Sequence, residues 1–184
     1  MRPHIKYLKK LGACSVAVDW AKQYDSLQEA WDVCECGDWM LWLKGAQPDC
    51  PRQELVLAAC ECARLALPYV PDGETRPLAA IETAEDWARG GKSTLEQVRN
   101  AANAAYASYE ANAAHASYAA TAAANAAFAA AYASYAATAA PYAAIAAVYA
   151  SYGANAAYAV HGKTPRECAD IARKYWPEIT MPEN

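Results

Sequence analysis

The second half of this chain is almost without charge: between Ala101 and Val160, Glu110 is the one formally charged residue. Surfaces that track phosphate draw on clustered cations, whereas the whole chain has 16 Lys and Arg against 20 Asp and Glu, for a net charge of -4. Nucleic acid is therefore not an expected partner. Also missing is any run of about 18 strongly apolar residues, because Asn, Ser, Thr and Tyr interrupt the alanine-rich stretch too often for a membrane span. The opening residues Met1 to Lys6 run into Lys9 and Lys10 without the apolar stretch of about 7 to 15 residues that a signal peptide needs. Seven cysteines are an odd number, which fits free thiols in a reducing cytoplasm. At 184 residues the chain has the length of one ordinary domain and can bury about 70% of the surface it exposes unfolded, so no disulfide or metal is needed to explain folding.

What is present reads as helices. Residues 13–23 place Val16, Trp20 and Gln23 on one face of a short amphipathic helix. Ser26-Leu27-Gln28-Glu29 has the spacing of a capping box and predicts a helix over 27–35, ending at Gly37. Asp38 can cap the next turn, and Trp39-Met40-Leu41-Trp42-Leu43 is too densely apolar to be a solvent face, so it is core or interface. Leu55, Ala58, Ala59, Cys62, Leu65 and Ala66 recur at helical spacing between Pro51 and Pro68, and Leu78, Ile81, Ala84 and Trp87 do the same between Thr75 and Gly90. Ser93-Thr94-Leu95-Glu96 and Thr164-Pro165-Arg166-Glu167 have the form of two more capping boxes, the latter starting a helix through Trp176.

Between the last two boxes roughly half the residues are alanine, the strongest helix former because it loses no side-chain entropy. Four quasi-repeats stand out: Tyr106 to Tyr109, His115 to Tyr118, Tyr132 to Tyr135 and Tyr149 to Tyr152, each followed three residues later by Asn or Thr. Their uneven steps would scatter the motifs around one continuous helix, and an unbroken helix over 94–140 would be about 70 Å long. Folded-back helices are expected, with breaks over 121–125 and at Pro141. The predicted architecture is all-α, a compact multi-helix single domain over 1–184. It comprises short Trp- and Cys-containing helices over 1–92, a closely packed Ala/Tyr-rich helical layer over 93–160, and a C-terminal helix and tail over 161–184.

With these landmarks in place the chain resembles an alanine-rich family of immunity proteins found in bacteria and tailed phages. The likeness is carried by Trp31 to Trp42, Cys60 to Pro68, Arg76 to Glu82, the Ala-Tyr repeats and Ala169 to Tyr175. The resemblance implies a role in bacterial conflict and supplies no active-site residues.

Cys34-x-Cys36 and Cys60-x-Cys62 both fall on predicted helices, where side chains two apart point about 200° from one another and do not converge on an ion, so no metal is expected. None of His4, His115 and His161 has a cysteine in a context that activates a thiolate, and the paired carboxylates read as solvated faces. Neither an enzyme nor a cofactor is expected. Arg64, Arg76 and Arg99 offer guanidinium forks beside aromatic rings, the pairing that a phosphate-and-base ligand uses. With Tyr109, His115 and Tyr118 they form the candidate ligand site as a group, although for any single arginine a pair with a nearby carboxylate at a helix end is the favoured reading.

Two functions follow. In the first, the protein sequesters a small nucleotide-derived immune signal without consuming it, as an anti-defence sponge in the cytoplasm of a bacterial host. In the second, it neutralises a toxin or defence enzyme by direct contact, with the Trp39 to Trp42 cluster or a tyrosine stripe as hot spot. A homodimer through Ala-Tyr faces is compatible with either.

Overall fold

The computed structural model describes residues 1–65, 67–113 and 164–181. Among them every regular element is helical: α1 (Pro3–Leu11), α2 (Ser15–Ala21), α3 (Leu27–Val33), α4 (Gly37–Ala46), α5 (Arg52–Arg64), a 3-10 turn (Leu67–Tyr69), α6 (Arg76–Ala88), α7 (Leu95–Ala113) and α8 (Thr164–Tyr175). The chain is all-α, as its periodicity predicts. The expected breaks over 121–125 and at Pro141, and three of the four Ala-Tyr repeats, lie outside the described residues. Among those described, no helix is long and apolar enough to cross a membrane.

The packing runs as a series of neighbours. α7 lies on α6, α6 on α5, and α8 lies against both α5 and α4. Small residues make the α6–α7 seam: Ala80 and Ala84 on α6, and Val98, Ala102 and Ala105 on α7, are all fully buried. The spacing of the latter three, one and then two turns apart, is the helical stripe that alanine-rich sequence can bring close to a neighbouring backbone. α5 is the most enclosed element, with Leu55, Val56, Ala58, Ala59, Cys60, Cys62 and Ala63 all without exposure.

Where α4 meets α8 the contact is backbone to backbone. A Cβ built on Gly37 would stand 2.4 Å from Cys168 Cβ and 2.7 Å from Ala169 N. Glycine is therefore required there for proximity. After α8 the chain crosses α3 and α4 as a strap: Trp31 Nε1 donates to Trp176 O (2.9 Å), Gln28 Nε2 to Pro177 O (3.1 Å), Ile179 N to Gln28 Oε1 (2.8 Å) and Gln47 Nε2 to Thr180 O (2.7 Å).

Several local expectations need correction. α1 has no counterpart in the sequence reading, yet Pro3 in its first turn and Gly12 at φ 84, whose N–H caps the Leu8 and Lys9 carbonyls, are ordinary start and stop signals. α2 forms, but its buried face is Val18 and Ala21; Val16 is 65% exposed. On α6 the buried face is likewise turned toward Ala80, Ala84 and Glu85, leaving Leu78 at the surface.

α3 stops at Val33, not at Glu35, because Cys34 is extended (φ -65, ψ 128). Cys34 and Cys36 thus lie on a non-helical link, whereas Cys60 and Cys62 are on α5 as expected. Of the Ser26–Glu29 box the serine half forms, Glu29 N donating to Ser26 Oγ at 3.0 Å, while the Glu29 carboxylate accepts from Asp25 N at 2.8 Å, one residue before the cap. The box before α7 sits one residue later than predicted: Gln97 N donates to Thr94 Oγ1 (3.2 Å) and Thr94 N to Gln97 Oε1 (2.7 Å). Ser93 is unavailable for this box, since its N–H already donates to Asp86 Oδ2 at 2.7 Å and closes the preceding turn. Asp38 lies within the first turn of α4 and does not occupy the capping position, which is Cys36.

Candidate functional site

The four N-terminal helices enclose an aromatic cleft of about 520 Å³. α1 contributes Leu8, with Gly12, Ala13 and Cys14 following it; α2 contributes Ala17, Trp20 and Ala21; α3 contributes Leu27, Ala30 and Trp31, with Cys34 just beyond; α4 contributes Asp38, Trp39, Met40, Trp42 and Leu43. The floor is core: Leu8, Ala21, Leu27, Ala30, Trp31, Cys34, Met40 and Leu43 are buried. The rim is half-exposed Trp20, Trp39 and Trp42. Trp20 packs edge-to-face on Trp39 with centroids 5.9 Å apart and lies tilted against Tyr24 at 4.8 Å, arrangements that fix ring orientation.

Asp38 is the carboxylate of this lining. It is held at the start of α4, where helix N–H groups favour an anion, yet burial outweighs that help and raises its carboxyl above the usual range. Beside it Cys34 Sγ approaches the Cys36 carbonyl oxygen at 3.7 Å. The Cys34 thiol also hydrogen-bonds the Cys36 sulfur, pushing its own titration up and drawing that of Cys36 down.

The walls are anchored from behind by Arg173 on α8. One of its guanidinium nitrogens donates to Trp31 O (3.1 Å) and Cys34 O (2.7 Å), carbonyls at the end of α3, while the other holds Asp170 at 2.7 Å.

The residues singled out for a phosphate-and-base ligand are distributed otherwise. Arg64 makes a two-pronged pair with Glu85, Nε to Oε1 at 2.8 Å and Nη2 to Oε2 at 2.9 Å, and Arg89 adds a third bond at 3.1 Å. Arg76 makes a similar fork to Glu74 at the start of α6. Arg99 is exposed on α7. Tyr109 falls on α7, but its side chain, like all of His115 and Tyr118, lies outside the described residues. The structure thus gives Arg64 and Arg76 carboxylate partners, and neither lines the cleft.

Cys60 and Cys62 do not face each other. Burial, then the nearby Glu85 carboxylate, pushes Cys60 up, while Cys62 is hydrogen-bonded to Cys168 across the α5–α8 contact and is also raised. Among the described residues no three His, Cys, Asp or Glu side chains meet in a set that could hold an ion.

Reading along the sequence found Trp20, Trp39 and Trp42 but missed that they meet. Asp38 was read only as a cap. The missed signal is the Pro3–Leu11 helix, whose end and following Gly12 supply the wall facing Trp20 and Trp39.

No curated protein and no solved structure matches the chain. One family model does, that described as Imm-5 like putative immunity protein, over residues 48–174. The span runs from the end of α4 through most of α8, so it takes in the scaffold and leaves the cleft, built from residues 8–43, ahead of it. Because the match covers more than half of the chain, and the scaffold it covers is the α5–α8 stack described above, the chain belongs to the Imm-5 like immunity protein family.

Proposed function

We propose that this chain is a non-enzymatic immunity protein of the bacterial cytoplasm that neutralises a toxin or defence enzyme by direct contact, and that the contact is made at the aromatic cleft. The observation that carries this reading is the rim of three half-buried tryptophans around a cavity of about 520 Å³. Tryptophan at a partly buried site is the residue type most enriched among energetic hot spots, because it offers a large rigid surface at low entropic cost. An immunity protein also needs a surface of its own to match its own toxin. The cleft, built from residues 8–43, lies ahead of the residues 48–174 that the family model matches.

The arginines support the same choice. A phosphate ligand at Arg64 or Arg76 would have to displace a carboxylate already held in both prongs of the guanidinium. The cleft, for its part, presents an anion and apolar rings, which repel phosphate.

Growth rescue tests the proposal. Co-expression with its cognate toxin should restore growth, and the purified pair should co-elute as a complex. Trp39→Ala combined with Trp42→Ala should abolish both while the far-ultraviolet helical signal stays unchanged. Rescue without a complex, together with a melting shift of several degrees from a cyclic oligonucleotide, would overturn protein contact in favour of signal sequestration.

A further inference from the structure

The cleft pairs two features that are costly apart. Trp20, Trp39 and Trp42 make an apolar rim, and the Asp38 carboxylate sits among them half-buried. Among the described residues no side chain pairs with Asp38; its hydrogen bonds come from backbone at the start of α4. A carboxylate withdrawn from water without a cation is destabilising, and such sites persist where a ligand supplies the missing charge.

Three kinds of ligand end can be compared. A neutral apolar group fills the cavity but removes the last water from Asp38. An anion meets Asp38 and a chain whose net charge is already -4. A cation on an apolar stem satisfies both halves of the site, with its methylenes along the indoles and its charge at the carboxylate, where the ring faces add attraction of their own. Trp20 is packed by both Trp39, at 62° between planes, and Tyr24, so the stem's contacts fall chiefly on Trp39 and Trp42.

We propose that the cleft receives a lysine or arginine side chain of the partner protein, its ammonium or guanidinium group at Asp38 and its stem between Trp20, Trp39 and Trp42. This deepens the protein-contact reading and rests on it. The specificity is thereby assigned to one charge: partners presenting an apolar residue at that position are rejected because they strand Asp38.

The test uses the full chain and small probes, so it needs no partner. n-Hexylammonium, n-hexanol and n-hexanoate are titrated against tryptophan emission at neutral pH, in low salt and again in high salt, which screens surface charge more than a pair inside the cleft. Hexylammonium should half-saturate at a concentration at least about tenfold below hexanol, with hexanoate the weakest, and the ranking should survive high salt. Asp38→Asn should equalise hexylammonium and hexanol, weakening the first and not the second, with the helical signal intact. Equal half-saturation of the two in the wild-type protein, a ranking erased by salt, absence of any saturable response, or a preference retained by Asp38→Asn would each overturn the inference. Should the variant fail to fold, the wild-type ranking decides alone. If that ranking fails while growth rescue still depends on Trp39 and Trp42, the cation assignment falls and the protein-contact reading stands.

Discussion

Glu85 is an ionisable residue of the scaffold held by two arginines. It is 8% exposed and shared by Arg64 and Arg89, with the Arg64 hydrogen bonds the main reason its carboxyl is held below the usual carboxylate range. A depressed carboxylate contributes stability that is fully present above its ordinary value of 4.5 and disappears as pH falls through the lower folded value. Glu85→Gln should therefore destabilise by about 1–2 kcal/mol at pH 7, the arginines being partly exposed, with the difference from wild type closing in acid. Urea titrations at neutral and acidic pH check both the size and the sign.

Thiol chemistry offers a second test at the same scale. Alkylation of the native protein should label exposed Cys14 and half-buried Cys36 first, since the Cys34 thiol favours the Cys36 thiolate. Cys60, Cys62 and Cys168 are buried and should stay silent until unfolding. Mass mapping that finds Cys60 or Cys62 labelled as fast as Cys36 would mean that the α5 core opens readily.

Among the elements, the existence of most helices was legible, α1 excepted, and helix rotation was not. Periodicity located α5 and α6 because their apolar residues outnumber the alternatives, yet α2 carries Val16 and Trp20 on one side and Val18 and Ala21 on the other, and only packing against α1 decides which is buried. His4, buried in α1 with Nε2 3.3 Å from Ala21 O, is part of that packing. The α3–α4 link was misread as helix because nothing in Cys34-Glu35-Cys36 breaks one; the carbonyls there turn outward to Arg173, a residue about 140 positions away. Arg173→Met should keep the stem's bulk, lose the bonds to Trp31 and Cys34, and destabilise by about 2 kcal/mol in a thermal or urea melt. Gly37→Ala should cost more, about 3 kcal/mol, since its methyl would meet the backbone of Cys168 and Ala169 and repacking of side chains alone cannot relieve that.

For the whole molecule, all-α architecture could be read from alanine content and capping signals, because those are local. The candidate site could not, since a pocket is a meeting of residues distant in sequence. Arg64 and Arg76 attracted attention as forks beside aromatic rings, while their partners Glu85 and Glu74 were one helix and two residues away respectively. Sequence alone gives no rule for choosing a carboxylate over a ligand.

The strap that follows α8 also sets an order of events. The helices bearing the cleft, α3 and α4, are translated early, but their fasteners Arg173, Trp176, Pro177 and Thr180 come more than a hundred residues later. A nascent chain carrying α1 to α4 has the tryptophans without the buttress, so its apolar surface must wait through synthesis of the alanine-rich stretch before it is enclosed. A finished cleft is consequently a signature of a chain translated through at least Thr180, and fragments stalled upstream should be targets for chaperones and proteases before they can occupy a partner.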